Sequence, residues 1–448
     1  MGILQISMRL GIRRFRIYKK IAVTIFMLSI SWYIVLHILD IQSPLSKTTK
    51  IRILRQSLLF GKDENFRFSR DDLNLNFKSS STTRIENMTY DNVNDFPCTQ
   101  TNDAILKLGD NDTDDIMCSS RPKYIETYLN PCFRESYSSR NKGLVFKCLP
   151  YFHILGFDKC GTTDFHNRLT QHPQIIHNSG PMGKDIYYWS WSRYGLHPSN
   201  TSVKTQLWQY KNMFHVMSVQ ITTMLSQSKI QLITGDATPV DVWDFRGWPE
   251  DPQNKGLQEP RFLTPHAMRH IYKNPKFFIL VRNPVDRLYS DYTSRGFGFT
   301  PEKLAVDVPI AVSLITECLR THSILHCFFS DELYQKLPVR LHVSCYSVFL
   351  REWFSVFNRK HFFIFRTEDY HSNTKEFLRQ AFDFLNVDPL KDSELEAIAE
   401  ESTKQKTKNN SSVGLMFSET RSILEEFFAS FNQDLATLLG STKFLWRD

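Results

Sequence analysis

The chain has 448 residues, 41% hydrophobic and 13% aromatic, with 55 Lys and Arg against 47 Asp and Glu. This is folded-protein chemistry with enough apolar residues for a sizeable core, and it excludes the disordered, collagen-like and disulfide-knot classes. The net charge of +8 gives no support to a nucleic-acid partner, because Arg9, Arg13, Arg14, Arg16, Lys19 and Lys20 all precede the first acid, Asp40, and leave +2 for the remainder.

After that basic tail, residues 1–20, the run Ile21 to Leu39 has 19 residues without Asp, Glu, Lys or Arg. It reaches the roughly 20 residues that a bilayer core demands. A cleaved signal peptide would have a shorter apolar core ending in small residues. Residues 21–39 are therefore expected to be an uncleaved transmembrane helix. By the positive-inside rule the tail is cytosolic and the rest lumenal, a single-pass type II orientation. Residues 40–95 are rich in Ser, Thr, Asn, Asp and Lys without lasting periodicity and read as a stem.

Residues 96–147 form a cysteine-containing lumenal lead-in to a catalytic region at 148–448. Cys98, Cys118, Cys132 and Cys148 allow three pairings, among which the sequence does not choose. Cys318 and Cys327 are close enough to close a small loop and are expected to pair. Cys160 and Cys345 are expected to be free. Eight cysteines and sequons at Asn87, Asn111, Asn200, Asn409 and Asn410 agree with a secretory lumen. No C-x-x-C spacing occurs, and no metal is expected.

From Cys148 onward, short apolar runs at Tyr151 to Leu155, Ile230 to Thr234, Phe277 to Val281 and Phe362 to Phe365 alternate with helical stretches. Such alternation predicts an α/β fold with a mainly parallel central sheet. Ser418 to Leu439 spaces Ile423, Leu424, Phe427, Phe428, Phe431, Leu435 and Leu438 as an amphipathic helix does, with Ser418, Glu419 and Thr420 as its expected cap. Its Phe stripe reads as core.

The most informative stretch is YFHILGFDKCGTTDFHNRL, Tyr151 to Leu169. A strand leads into a loop with Gly156, Lys159 and Gly161, and Thr162 and Thr163 open a helix. Backbone N–H groups there would face an anion and Lys159 would add a full charge. The nucleoside-triphosphatase pattern G-x-x-x-x-G-K-[ST] is nearly met, but the lysine precedes the second glycine. A second stretch, KFFILVRNPVDRLYSDY, puts Arg282 at a strand end and Ser290 eight residues later on the next helix. Arg282 offers a bidentate charged contact and Ser290 a hydroxyl donor.

The K-C-G-T-T cluster and the Arg282/Ser290 stretch together resemble the two nucleotide-binding segments of the Golgi carbohydrate sulfotransferases. The resemblance covers roughly Pro150 to Trp446. Within that family, TGDATPVDVWD, CLRTHSILHC and PVRLHVSCYSVFLREWFSVF look most like the enzymes that 6-O-sulfate N-acetylgalactosamine 4-sulfate. The resemblance implies a P-loop-type three-layer fold behind the transmembrane helix and stem. It also implies a Golgi location and 3′-phosphoadenosine 5′-phosphosulfate as co-substrate, held by Lys159, Cys160, Gly161, Thr162, Thr163, Arg282 and Ser290. The implied acceptor is a sulfated glycosaminoglycan, with chondroitin or dermatan sulfate first.

In GKDIYYW the resemblance makes Asp185 the general base and Lys184 a second catalytic cation beside Lys159. The family's Glu is Asp185 here and its His is Tyr187, and Asp158 stands where the family commonly has Pro. Asp236, Thr238 and Arg193 are candidates for the acceptor cleft, and Trp189 and Trp191 are sugar-stacking or core residues. Arg287 is expected in a structural ion pair. Lys404, Lys406 and Lys408 are either a solvated run or a cationic cover for nucleotide or glycan. The competing functions are a heparan or tyrosylprotein sulfotransferase and a catalytically weak, glycan- or nucleotide-binding relative. A nucleotide kinase ranks below both because of the displaced lysine.

Overall fold

The computed structural model describes residues 96–99, 115–136, 143–198, 203–296, 298–401 and 414–447. The expected tail, transmembrane run and stem lie outside them, as do the five sequon asparagines and Lys404, Lys406 and Lys408. Among the described residues no helix is long and apolar enough to cross a membrane.

Two strands, β1 (Cys132–Ser136) and β2 (Leu144–Cys148), pair antiparallel with Cys132 opposite Cys148. Those two cysteines are bonded, and Cys98 is bonded to Cys118, so one of the three possible pairings is realised. Cys318 is joined to Cys327, and Cys160 and Cys345 are free and buried.

The remaining strands are β3 (Phe152–Ile154), β4 (Ile175–Ile176), β5 (Ile233–Asp236), β6 (Lys276–Val281) and β7 (Phe362–Arg366). They form one sheet in the order β4-β5-β3-β6-β7, with every neighbouring pair parallel. Three apolar runs become β3, β6 and β7 almost as read. The run at Ile230 shifts: Ile230 is exposed, and the strand extends instead through Gly235 and Asp236, which register against Phe152 and His153. Phe277 to Val281 of β6 are fully buried, as in a parallel strand covered on both faces.

From β3 the chain moves to one side of the sheet, to β4 and β5, and from β6 it moves to the other, to β7. The carboxyl ends of β3 and β6 therefore flank the point where the strand order reverses, where open α/β sheets bind ligands. Helix α1 (Thr162–Leu169) follows β3 and α2 (Pro284–Thr293) follows β6. Pro284 starts α2, and Asn283 caps it by accepting from the backbone of Val285 and Asp286.

Two later helices close the core. In α4 (Ser418–Leu439), Leu424, Phe427, Phe428, Phe431 and Leu435 are buried. The helix is tied to α3 (Tyr346–Phe354) by Ser347 Oγ, which donates to the Phe431 carbonyl, and by the Arg351–Asp434 ion pair. Burial of each Phe stabilises by about 1.5–3 kcal/mol. The expected cap of α4 is not formed: Phe417 holds the cap position without a side-chain bond, and the Ser418 hydroxyl donates to Glu419.

Candidate active site

The loop between β3 and α1 is shaped by two glycines. A Cβ on Gly156 would meet Thr162 Cγ2 at 2.8 Å and the Leu280 nitrogen at 2.9 Å, so only glycine lets the loop run this close to β6. Gly161 caps α1 with φ 85° and supplies no side chain, which leaves the first N–H groups of the helix facing the loop without a side-chain acceptor. Lys159 has φ 68°, a strained conformation for a residue with a Cβ. Its ammonium has no hydrogen-bond or ion-pair partner among the described residues. Burial lowers its pKa from the ordinary lysine value, against the pull of Asp291 and Asp158.

Arg282 follows β6 directly, and its Nη1 donates to the Lys159 carbonyl at 3.4 Å. The guanidinium has no ion-pair partner among the described residues. Ser290, on α2, is buried, and its hydroxyl likewise has no partner among them. The Tyr346 hydroxyl donates to the Arg282 carbonyl at 2.8 Å, and the Thr367 hydroxyl contacts the carbonyls of Cys160 at 2.7 Å and Val281 at 3.0 Å. These bonds fasten the two loop ends to each other. Two cations without counter-ions, a free hydroxyl and uncapped helix N–H groups thus meet at the strand-order reversal, a combination suited to a ligand with more than one anionic group.

The third component is the turn 184–187. Asp185 and Tyr187 both have left-handed backbones, φ 60° and 57°. With Lys159 they make three of the six non-glycine residues of positive φ among those described, which marks both loops as held in place by their surroundings. Asp185 is buried. Its Oδ2 accepts from Lys184 Nζ, while Oδ1 has no partner among the described residues. Burial raises the Asp185 pKa above the usual carboxylate value, and Lys184 pulls it back in part.

Asp236 and Thr238, expected at an acceptor cleft, are instead 1% exposed. Asp236 Oδ1 accepts from the Thr238 hydroxyl at 2.9 Å and the Ile186 N–H at 3.3 Å, and Thr238 Oγ1 accepts from the Tyr187 N–H at 3.4 Å. Their side chains clamp the 184–187 turn rather than line an open surface. Burial raises the Asp236 pKa to about 6. The Arg193 side chain is 8% exposed and paired with Asp251 at 2.9 Å, while its Nε and Nη1 have no partner among the described residues. It lines a small cleft with Tyr188, Tyr194, Lys204, Gln206 and Asp251. Trp189 is core, whereas half-buried Trp191 stacks on Tyr187 with ring centroids 4.9 Å apart.

Sequence reasoning left Asp291, Arg340 and Trp243 unassigned. Asp158 Oδ2 accepts from Trp243 Nε1 at 2.8 Å and lies 4.0 Å from Arg340 Nη1. Arg340 grips Asp291 through Nε and Nη2, and fully buried Arg287 lies 3.6 Å from the same carboxylate. Although burial acts in the other direction, Arg287 and Arg340 hold the Asp291 pKa down at about 2. The only local signal for these residues was an acid next to Lys159 that required a counter-charge. Cys98, Asp115 and Cys118 form the one group of potential metal ligands close enough together among the described residues, and its two sulfurs are joined in a disulfide.

A family model described as the sulfotransferase domain matches residues 150–430. Carbohydrate sulfotransferase 15 of Homo sapiens is 30% identical over 361 residues, covering 76% of this chain and 63% of that protein. The Mus musculus protein of the same name is 31% identical over 377 residues, covering 72% and 66%. The chain thus spans slightly under two thirds of the length of these relatives. A crystal structure of a sulfotransferase from Alicyclobacillus acidocaldarius aligns with 67% of this chain and 99% of its own at 19% identity and a TM-score of 0.42, too low to bear on chemistry.

Proposed function

The chain belongs to the sulfotransferase family, and from that premise we propose that it transfers a sulfuryl group from 3′-phosphoadenosine 5′-phosphosulfate to a hydroxyl of a sulfated glycosaminoglycan. The acceptor position is the 6-oxygen of N-acetylgalactosamine 4-sulfate in chondroitin or dermatan sulfate, a choice that rests on the likeness to the carbohydrate sulfotransferase 15 proteins. The observation that carries the donor assignment is the approach of Arg282 to the Lys159 loop, which joins two unpaired cations from separate strand ends.

Lys159 and the N–H groups of Gly161, Thr162 and Thr163 hold the 5′-phosphosulfate end, and Cys160, whose N–H donates to the Phe157 carbonyl at 3.2 Å, shapes the loop around it. Arg282 and Ser290 hold the 3′-phosphate. The donor supplies an activated sulfuryl group. Asp185 Oδ1, buried and without a partner among the described residues, accepts the proton of the acceptor hydroxyl as its oxygen bonds to sulfur. The raised pKa makes Asp185 a stronger base than an exposed carboxylate. As the sulfur–oxygen bond to the nucleotide breaks, charge grows on the departing phosphate oxygen, and Lys159 and Lys184 stabilise it. Asp236 and Thr238 hold the turn that carries the base, and Arg193 is assigned to the acceptor side. The apolar run at 21–39, the disulfides and the sequons support a single-pass type II protein of the Golgi membrane with its catalytic region in the lumen.

The test is transfer of labelled sulfate by the full chain to chondroitin sulfate, followed by disaccharide analysis of the product. Lys159→Ala is expected to abolish transfer. Absence of 3′,5′-ADP binding by correctly folded chain would overturn the assignment, and labelling of heparan sulfate or a tyrosyl peptide instead would move the acceptor. A second reading, a nucleotide-binding member with little turnover, draws on the bond between Lys184 and the base. Binding without transfer would select it.

A further inference from the structure

Asp158 poses a problem that the donor assignment alone does not solve. A carboxylate next to Lys159 in an anion-binding loop offsets the charge that the loop exists to supply. Its surroundings supply an answer. Trp243 donates its indole N–H to Asp158 Oδ2, and Arg340 brings a guanidinium nitrogen to 4.0 Å of the same oxygen while its Cζ lies 5.4 Å from the centroid of the Trp243 ring.

The rest of that guanidinium is directed at the other half of the site. Arg340 Nε donates to Asp291 Oδ2 at 2.9 Å and Nη2 donates to Oδ1. Asp291 is the residue after Ser290 on α2. Arg287 completes the network by donating to the Arg340 carbonyl at 3.1 Å and to Ser344 Oγ at 2.6 Å. Two carboxylates, Asp158 and Asp291, are balanced by two guanidinium groups, Arg287 and Arg340. Lys159 and Arg282 stay outside that balance, so their charge is available to an anion.

Resting on the donor reading above, we propose that Arg340 is a positioning residue for the nucleotide. It neutralises Asp158 inside the phosphate loop and, with the same side chain, fixes the helix that presents Ser290. Without Arg340 the Asp158 charge would be set against Lys159, and α2 would lose its bidentate tie. Arg340 and Asp158 are 20% and 23% exposed, so solvent screens the pair and the expected effect is moderate.

The test is a double-mutant cycle on the full chain, with 3′,5′-ADP binding read by calorimetry and folding read by thermal melting without ligand. Arg340→Gln is expected to weaken binding about tenfold, and in the Asp158→Asn background the same change is expected to cost less than about threefold. Arg340→Lys, which keeps the charge and loses the fork, is expected to bind within about threefold of wild type, and it carries the comparison should the Gln variant not fold. Equal losses from Arg340→Gln in both backgrounds, or a Lys variant as weak as the Gln variant, would overturn the proposal while leaving the donor site standing. A folded wild-type chain that binds no 3′,5′-ADP would remove the donor site and this proposal together.

Discussion

The Thr238 hydroxyl donates to Asp236 Oδ1 at 2.9 Å, and the same two side chains accept the backbone N–H groups of Ile186 and Tyr187. They are the fastening on a turn whose two flanking residues, Asp185 and Tyr187, stand in a backbone conformation that costs energy. Thr238→Val removes one acceptor and leaves the shape nearly intact. A displacement of the base by about 1 Å costs on the order of a hundredfold in rate. The expected result is a fall in kcat of ten- to a hundredfold with 3′,5′-ADP affinity unchanged, measured by steady-state kinetics and calorimetry. An unchanged kcat would show that the clamp does not govern the base.

Arg282 and Ser290 are assigned to the same phosphate, which gives a test by ligand trimming. A hydrogen bond to a charged group contributes about 1.5–3 kcal/mol. Arg282→Ala is therefore expected to weaken 3′,5′-ADP binding by ten- to a hundredfold and Ser290→Ala by less. Neither change should affect binding of 5′-AMP, which lacks the 3′-phosphate. Equal losses for both nucleotides would move these residues away from that phosphate.

The Asp185 pKa is raised by burial, and its working form is the carboxylate. Activity is therefore expected to be full above that raised pKa and to fall as pH drops through it, earlier on acidification than for an exposed aspartate near 4. The acid limb of kcat/KM against pH reads this directly. Asp185→Asn should abolish turnover while preserving nucleotide binding; retention of the limb in any residual activity would assign it to another group.

His153, on the central strand β3, is fully buried with neither ring nitrogen bonded to any described residue, and burial lowers its pKa to about 3. The folded state therefore favours the neutral ring. Its contribution to stability is complete above the unfolded value near 6.5 and is lost as pH falls below it. At pH 5 the loss is about 2 kcal/mol. His153→Leu is expected to flatten the dependence of melting temperature on pH between 7 and 5, though His166, whose pKa burial also lowers to about 3, leaves a residual slope. A slope as steep as wild type would exclude His153 as a source.

The glycine-shaped turn from β3 into α1, the helix that follows Arg282 and the apolar face of the C-terminal helix were legible in the sequence, because each depends on interactions within a few positions. Glycine permits a backbone angle, proline and asparagine start a helix, and Phe at three- and four-residue spacing makes one face. The Asp185 turn was found only through resemblance, since nothing local distinguishes that aspartate from others. Strand order, the pairing of Cys98 with Cys118 and the burial of Asp236 and Thr238 were not readable. Neither was the bridge from Asp158 to Asp291 through Arg340. Its parts come from segments far apart in the chain, such as Trp243 and Asp158, 85 positions apart. A side chain's charge and shape are local properties, but whether it meets solvent, a counter-charge or a ligand depends on which strands the sheet sets side by side. Reversal of strand order at β3 and β6 is what brings two separate cationic loops side by side.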